Sequence, residues 1–190
     1  MLRAFIAIDI PEEIKKQIAN QTAELRRMVG RSVRWVAPEN IHLTLKFLGD
    51  ISSANTDFLT QALKAEAGQH LPFEIGVDDL GAYPNLRHPR IIWIGLNAPA
   101  NLGRLQHNLE TVTARLGYIS EGKPFSPHLT IGRVRDPISP DETQSLQSAL
   151  GNAKVGSQAK FIVESVHLFQ SVLKPAGPVY TCISTAVLGG

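Results

Sequence analysis

One four-residue pattern of histidine and threonine occurs twice, once in each half of the chain. The two copies are His42-Leu43-Thr44-Leu45 and His128-Leu129-Thr130-Ile131. Apolar and polar residues alternate through both, which predicts β-strands whose successive side chains point to opposite faces. The imidazole and the hydroxyl of each copy would therefore share one face. Two such strands side by side would offer two imidazoles and two hydroxyls to one ligand, a set suited to acid–base chemistry on a phosphate.

The repetition is not explained by chance. With 6 histidines in 190 residues, a His-x-Thr is expected only about 0.3 times. A single copy would favour a structural histidine, whose ring makes its hydrogen bonds within a half-buried strand. A matched pair, with leucine between the partners both times, favours a functional site.

Metal chemistry and nucleophilic catalysis are competing interpretations of these residues. Zinc needs at least three protein ligands, and the chain has no His-x-x-x-His or Cys-x-x-Cys spacing. A Gly-x-Ser-x-Gly nucleophile motif is also absent from the sequence. We therefore expect neither a metal nor a cofactor. The single cysteine, Cys182, lies in a Val/Ile/Thr-rich segment and is expected to be packed there.

Composition limits the classes of protein to be considered. A hydrophobic content of 43% and a charged content of 19% are typical of a soluble globular protein. No apolar run is long enough to cross a bilayer, and the first residues lack a signal-peptide pattern. The net charge of +2 is too small for nonspecific coating of nucleic acid. We expect a cytoplasmic monomer that does not bind membranes.

Periodicity and turn signals predict the order of the elements. Strands are expected at residues 3–9, 32–36, 41–48, 72–80, 90–96, 128–135, 159–169 and 178–187. Helices are expected at residues 11–28, 53–67, 100–116 and 140–150. This order predicts an α+β fold in which two antiparallel sheets face a central cleft, with helices outside and a pseudo-twofold relation. Residues 1–190 would form a single bilobal domain with one motif per lobe.

The sequence resembles the two-histidine (2H) phosphoesterase superfamily, and within it the RNA 2′,3′-cyclic phosphodiesterases formerly called 2′-5′ RNA ligases. The resemblance covers nearly the whole chain. Beyond the two motifs it rests on segments 3–9, 34–36, 46–49, 89–95, 132–133 and 171–177, and on Tyr180. The family fold is bilobal, with two antiparallel sheets facing a central groove.

The resemblance implies a reaction and a role for each motif residue. The family hydrolyses a 2′,3′-cyclic phosphate to a 2′-phosphomonoester without a metal. By motif position, His42 would be the proton donor and His128 the proton acceptor. Thr44 and Thr130 would donate hydrogen bonds to the nonbridging phosphate oxygens. The expected partners are RNA ends or nucleotides that carry a 2′,3′-cyclic phosphate.

Two further candidates for substrate binding, Phe47 and Arg133, each follow a motif histidine by five residues. Strict alternation would turn both toward the core. For Phe47 this favours a core aromatic slightly over a ring that stacks on a base. A buried Arg133 would be costly without a partner. We therefore predict a β-bulge near Gly132 that turns Arg133 toward the phosphate or base.

Several residues and activities remain open at this level. Lys46 shares the His42 face by alternation and either adds positive charge there or is solvated. Substrate contact by Arg90 and Tyr180 is undecided. The other histidines, at positions 70, 88, 107 and 167, are expected to be structural or exposed. Alternative functions are 2′-5′ ligation by the reverse reaction, a 2H enzyme acting on a small cyclic phosphate, and a non-catalytic RNA-binding module.

Overall fold

The computed structural model describes residues 1–153, 159–175 and 177–189, and these ranges contain nine strands and five α-helices. The strands are β1 (Leu2–Asp9), β2 (Val33–Trp35), β3 (His42–Ile51), β4 (Phe73–Tyr83), β5 (Ile91–Asn97), β6 (His128–Val134), β7 (Lys160–Val163), β8 (Ser165–Lys174) and β9 (Gly177–Val187). The helices are α1 (Glu12–Gln21), α2 (Ala23–Val29), α3 (Thr56–Ala67), α4 (Ala100–Arg115) and α5 (Pro140–Asn152).

The strands form two antiparallel sheets, which confirms the predicted α+β class. The first sheet has the order β3-β1-β8-β9 and contains the first motif. The second sheet has the order β2-β6-β5-β4-β7 and contains the second motif. The two sheets exchange strands along the sequence, because β2 joins the second sheet while β8 and β9 join the first. Neither sheet is therefore built from one half of the chain.

The helices cover the sheets with apolar faces at helical spacing. In α4, the buried side chains Leu102, Leu105 and Leu109 lie three or four residues apart. The N-terminus of α5 is closed by a capping box between Ser139 and Glu142. None of the helices within the described part of the chain has the length and apolar character needed to cross a membrane.

Two predicted elements are divided in the structure. The helix expected at 11–28 is broken at Thr22, whose hydroxyl donates to the carbonyl oxygen of Ile18 at 2.8 Å. Such a bond competes with the backbone ladder and bends helices. The strand expected at 159–169 is divided at Glu164 into β7 and β8, which belong to different sheets. Within the family-like segment 171–177, residue 176 lies outside the described residues.

A β-bulge in β3 changes which side chains face the core. Ile6 of β1 pairs with Lys46, but the next residue of β1 pairs with Thr44, so that Leu45 is the extra residue. Leu45 and Lys46 are both buried, and Phe47 points outward with 60% of its surface exposed. The prediction of Phe47 as a core aromatic is therefore wrong. The extra residue reverses the alternation, so Phe47 returns to the side of the motif.

Both alternatives predicted for Lys46, a charge on the His42 face and a solvated side chain, are wrong for the same reason. Its side chain is 0% exposed, and its ammonium group donates to Glu110 Oε2 at 2.8 Å and to the carbonyl oxygen of Ile119. A buried lysine is tolerated where its donors are satisfied and its charge is paired. Lys46 therefore anchors β3 to α4 and to the segment that follows α4.

The bulge predicted near Gly132 is present in β6. Ile92 of β5 pairs with Gly132, whereas the next residue of β5 pairs with Thr130, which leaves Ile131 as the extra residue. Ile131 and Gly132 are both buried, and Arg133 is exposed. The glycine is required by space: a Cβ added there would lie 2.8 Å from Val33 Cγ1.

We expect Gly132→Ala to lower the free energy of unfolding by about 1–3 kcal/mol, because the new methyl group would overpack a stiff β-branched neighbour. Gly103→Ala is the matched control. Gly103 lies inside α4 with no atom within 4 Å of an added Cβ, so this change should stabilise by roughly 0.5–1 kcal/mol. Urea unfolding of both variants tests the comparison, and an unchanged or increased stability of Gly132→Ala would contradict it.

Candidate functional site

Each motif histidine is held by a hydrogen bond of the same kind, from its ring to the backbone carbonyl group two residues before it. His42 Nδ1 is 2.8 Å from the carbonyl oxygen of Asn40, and His128 Nδ1 is 2.8 Å from the carbonyl oxygen of Ser126. Because a carbonyl oxygen only accepts hydrogen bonds, Nδ1 carries a proton in both rings. Among the residues that the structure describes, Nε2 of each half-buried ring has no hydrogen-bond partner and can exchange a proton with a ligand.

His42 lies in an aromatic cluster on the first sheet. Its ring centroid is 4.8 Å from that of Phe5 and 5.1 Å from that of Tyr180, to which it is perpendicular. Phe5 also stacks on Phe169 and approaches Phe47 at 6.3 Å. The cluster fixes the orientation of the His42 ring and reduces its contact with water.

Desolvation sets the direction of the His42 pKa. Burial lowers the pKa below its ordinary value, because a charged imidazolium loses hydration there. The hydrogen bond to Asn40 and the negative charge of Asp9 oppose this effect, whereas the charge of Lys15 adds to it. Asp9 is the cross-strand neighbour of His42 and forms an ion pair with Lys15 at 3.0 Å.

His128 has a different aromatic environment on the second sheet. Its ring centroid is 5.2 Å from that of Tyr83 and 6.2 Å from that of Trp93. A Cβ added at Gly81 would lie 2.3 Å from the Trp93 indole, so the indole occupies space that only glycine leaves open. The cross-strand neighbour of His128 is Gly95, which has no charged side chain of its own.

The motif threonines share the face of their histidines, as the alternation predicts. Both are half-buried, and they stand opposite Ala7 and Trp93 on the neighbouring strands. Neither the Thr44 nor the Thr130 hydroxyl forms a hydrogen bond with another residue that the structure describes. Both hydroxyls are therefore available to a ligand.

Contacts between the sheets bring the two motifs together. The two motif strands, β3 of the first sheet and β6 of the second, lie in contact with each other. Burial raises the pKa of Tyr180, while the positive charges of Arg133 and Arg3 lower it. Arg133 of the second sheet is thus close enough to act on a ring of the first sheet.

The remaining predicted residues lie outside this arrangement or differ from expectation. His70 is bonded to Glu66 at 2.9 Å, and His88 and His107 are exposed, in agreement with structural or surface roles. Cys182 is exposed, so the prediction that it is packed is wrong. Within the described part of the chain, the Arg90 side chain forms no hydrogen bond or ion pair with either motif. In residues 1–153, 159–175 and 177–189, no group of three or more His, Cys, Asp or Glu could hold a metal ion.

Sequence reasoning missed several residues that surround the histidines. Phe5 and Asp9 occupy alternate positions of β1, but their proximity to His42 depends on the pairing of β1 with β3. Trp93 lies in a continuous apolar run without alternation, which gives no sign of the face it occupies. The carbonyl groups of Asn40 and Ser126 act through the backbone and leave no side-chain pattern to read.

The same fold occurs in known phosphoesterases. The family model described as LigT like Phosphoesterase matches residues 8–93 and again 94–180, so that each match contains one His-x-Thr motif. The chain belongs to the LigT-like phosphoesterases of the two-histidine superfamily.

Full-length relatives support this assignment. A protein of Methanothermobacter thermautotrophicus named RNA 2′,3′-cyclic phosphodiesterase is 34% identical over 95% of each chain. The crystal structure of TT0787 of Thermus thermophilus is 28% identical, with a TM-score of 0.84 over 100% of this chain and 99% of that one. Escherichia coli LigT complexed with 3′-AMP is 27% identical, with a TM-score of 0.78 and the same coverage.

We expect Asp9→Asn to lower the pKa of His42 further, because removing the carboxylate leaves the protonated ring without its nearby negative charge. Glu12→Gln is the matched control, since Glu12 also pairs with Lys15 but has no direct effect on the His42 pKa. An NMR titration of the His42 ring measures both variants. An unchanged His42 pKa in Asp9→Asn, or an equal shift in Glu12→Gln, would contradict this assignment.

Proposed function

We propose that this protein hydrolyses RNA 2′,3′-cyclic phosphates to 2′-phosphomonoesters, with His42 as general acid and His128 as general base. The proposal is carried by one observation, the matched Nδ1 hydrogen bonds of the two histidines. Within the described ranges, both Nε2 atoms and the hydroxyls of Thr44 and Thr130 on the same faces have no partner. The name RNA 2′,3′-cyclic phosphodiesterase, borne by several full-length relatives, supports the substrate class.

The reaction requires a proton transfer on each side of phosphorus. His128 Nε2 takes a proton from water, and the resulting hydroxide attacks the phosphorus atom of the ring. The bond between phosphorus and the 3′-oxygen breaks, and His42 Nε2 gives its proton to that oxygen. The phosphate remains on the 2′-oxygen. Each transfer contributes about 10²–10⁴ in rate.

The charges beside the rings support this assignment of roles. A general acid must begin protonated, and a nearby carboxylate favours the protonated form of a histidine. Asp9 stands opposite His42, whereas Gly95 stands opposite His128. Burial lowers the pKa of His42 in the free protein, and the negative charge of a bound phosphate would raise it again. Substrate binding would therefore favour the protonated form of His42, which is the form that a general acid requires.

The other candidate residues bind and orient the substrate in this proposal. Thr44 and Thr130 donate hydrogen bonds to the nonbridging oxygens and stabilise the charge that develops on them. Arg133, turned outward by the bulge, adds a positive charge for the phosphate. Phe47, exposed beside Phe5, offers a surface on which a base can stack.

The proposed mechanism uses no metal ion. Acid–base catalysis by two imidazoles supplies both proton transfers, and the threonine hydroxyls and Arg133 supply the charge stabilisation. Ligation of a cyclic-phosphate end to a 5′-hydroxyl would be a minor reverse reaction, because water greatly outnumbers RNA ends.

We expect His42→Ala and His128→Ala each to lower kcat by about 10²–10⁴, because one proton transfer is lost. The assay follows a 2′,3′-cyclic nucleotide in EDTA and identifies the product isomer by ³¹P NMR. His107→Ala, a change on the exposed surface of α4, should leave the rate unchanged.

The product and the conditions distinguish the alternatives. A 3′-phosphate product would exchange the leaving oxygen and overturn the role of His42. Loss of the parent activity in EDTA would restore the metal alternative. Binding of the nucleotide without any turnover by the parent protein would instead support an RNA-binding module.

We expect Thr44→Val and Thr130→Val each to lower kcat/KM by about 10- to 100-fold, the effect of losing a hydrogen bond to a charged oxygen. Valine keeps the shape of threonine and removes only the hydroxyl. The conservative changes Thr44→Ser and Thr130→Ser retain the donor and should keep most of the activity. Steady-state kinetics test both pairs, and equal losses in valine and serine variants would argue against hydrogen bonding.

A further inference from the structure

Two arginines stand side by side on neighbouring strands of the second sheet. Arg34 of β2 is directly opposite Arg133 of β6, and both side chains are exposed. Directly opposite residues of an antiparallel pair project from the same face, and like charges there repel each other. Among the residues that the structure describes, neither guanidinium has an ion-pair or hydrogen-bond partner. A bound anion would relieve this repulsion.

The local structure turns Arg34 to this face. Val33 and Trp35, its neighbours in β2, point to the opposite side, where Gly132 leaves room for them. The Trp35 ring is covered there by the Arg26 guanidinium at 4.9 Å. The Arg34 side chain therefore lies on the same face of the sheet as that of Arg133.

This face is continuous with the candidate active site. The bulge in β6 brings Arg133 to the side of Thr130, and the charge of Arg133 reaches Tyr180 beside His42. Arg34 lies one strand further out, on the edge strand of the second sheet. A ligand that touches Arg133 with one phosphate must extend outward to reach Arg34.

A third arginine differs from this pair. Arg3 of β1 also lowers the pKa of Tyr180, but its cross-strand neighbour is Asp50, whose carboxylate offsets its charge. Arg34 and Arg133 have only each other across the strands, apart from the apolar Ile91 on the far side of Arg133. Arg34 and Arg133 therefore lack the opposite charge that Arg3 has across its strand pair.

We propose that Arg34 binds the phosphodiester that precedes the terminal nucleotide, so that the substrate is the end of an RNA chain in preference to a free cyclic mononucleotide. This inference rests on the proposed function. A cyclic mononucleotide carries one phosphate, whereas a chain end carries a second phosphate one nucleotide away. Two adjacent guanidinium groups match two successive phosphates, and arginine binds phosphate oxygens through paired N–H donors.

Three substrates with the same cyclic end test the role of Arg34. They are a 2′,3′-cyclic mononucleotide, the corresponding dinucleotide, and a dinucleotide whose internal link is an uncharged methylphosphonate. Arg34→Gln should raise KM for the normal dinucleotide roughly tenfold, the effect of losing one charged hydrogen bond. The other two substrates should be unaffected. Arg104→Gln, an exposed change on α4, should leave all three unchanged.

Salt dependence gives an independent measurement. For the normal dinucleotide, Arg34→Gln should reduce the slope of log(kcat/KM) against log[salt] by about 0.7, the value for one phosphate contact of a single strand. The slope for the mononucleotide should not change. Arg34→Lys, which keeps the charge, should retain the parent slope.

Each other outcome has a definite meaning. An equal rise in KM for all three substrates in Arg34→Gln would show that Arg34 contacts the reacting phosphate, and this would overturn the proposal. An unchanged KM for all three substrates would also overturn it. If the parent hydrolyses none of them, the proposed function fails. Calorimetric binding of a dinucleotide with a terminal 2′-phosphate then tests Arg34 separately, and equal affinity of parent and Arg34→Gln would overturn the proposal.

Discussion

A β-bulge directly after each motif threonine determines which side chains line this cleft. An antiparallel strand alternates its faces, so a residue five places after a histidine faces away from it unless a bulge intervenes. The bulges at Leu45 and Ile131 supply that change, and they bring Phe47 and Arg133 to the histidine side. They also turn the following residue inward, which is why one strand needs a glycine there and the other needs a paired lysine.

The paired lysine ties the first sheet to helix α4, which packs on β3. Lys46 reaches Glu110 in α4, and the same carboxylate accepts a hydrogen bond from the backbone of Glu121. Gln106 of α4 in turn donates to the carbonyl oxygen of Leu45 at the bulge. The segment between α4 and β6 leads directly to Ser126, whose carbonyl oxygen orients His128. The first motif strand is therefore hydrogen-bonded to α4 and to the segment that leads to the second motif. The Lys46 side chain is fully buried, so its charge would be costly there without a partner.

The two halves of the site share their hydrogen bonds but differ in what surrounds the rings. At the first motif, small Ala7 stands opposite Thr44 and the Asp9 carboxylate stands opposite His42. At the second motif, the equivalent positions hold Trp93 and Gly95. The acid and base roles proposed for the two rings would use this difference in their surroundings. The backbone carbonyl groups hold both rings in the same way, and the residues on the neighbouring strands make their surroundings differ.

The sequence determined the parts of this protein that depend on local periodicity. The paired His-x-Thr strands, the two antiparallel sheets, the helix of Leu102, Leu105 and Leu109 and the bulge at Gly132 all follow from spacing and residue type. Such features are encoded within a few residues, because each strand or helix presents its own apolar face. The resemblance to a known family added the chemistry expected of the motifs.

Only the tertiary structure decided the rest, because it depends on which strands become neighbours. The burial of Lys46, the exposure of Phe47 and the division of residues 159–169 between two sheets each require pairing partners that are distant in the sequence. The same holds for the rings beside His42 and His128 and for the pairing of Arg34 with Arg133. Local pattern specifies the face that a side chain takes along an ideal strand. Register, bulges and sheet order specify which residues that side chain contacts in the folded protein.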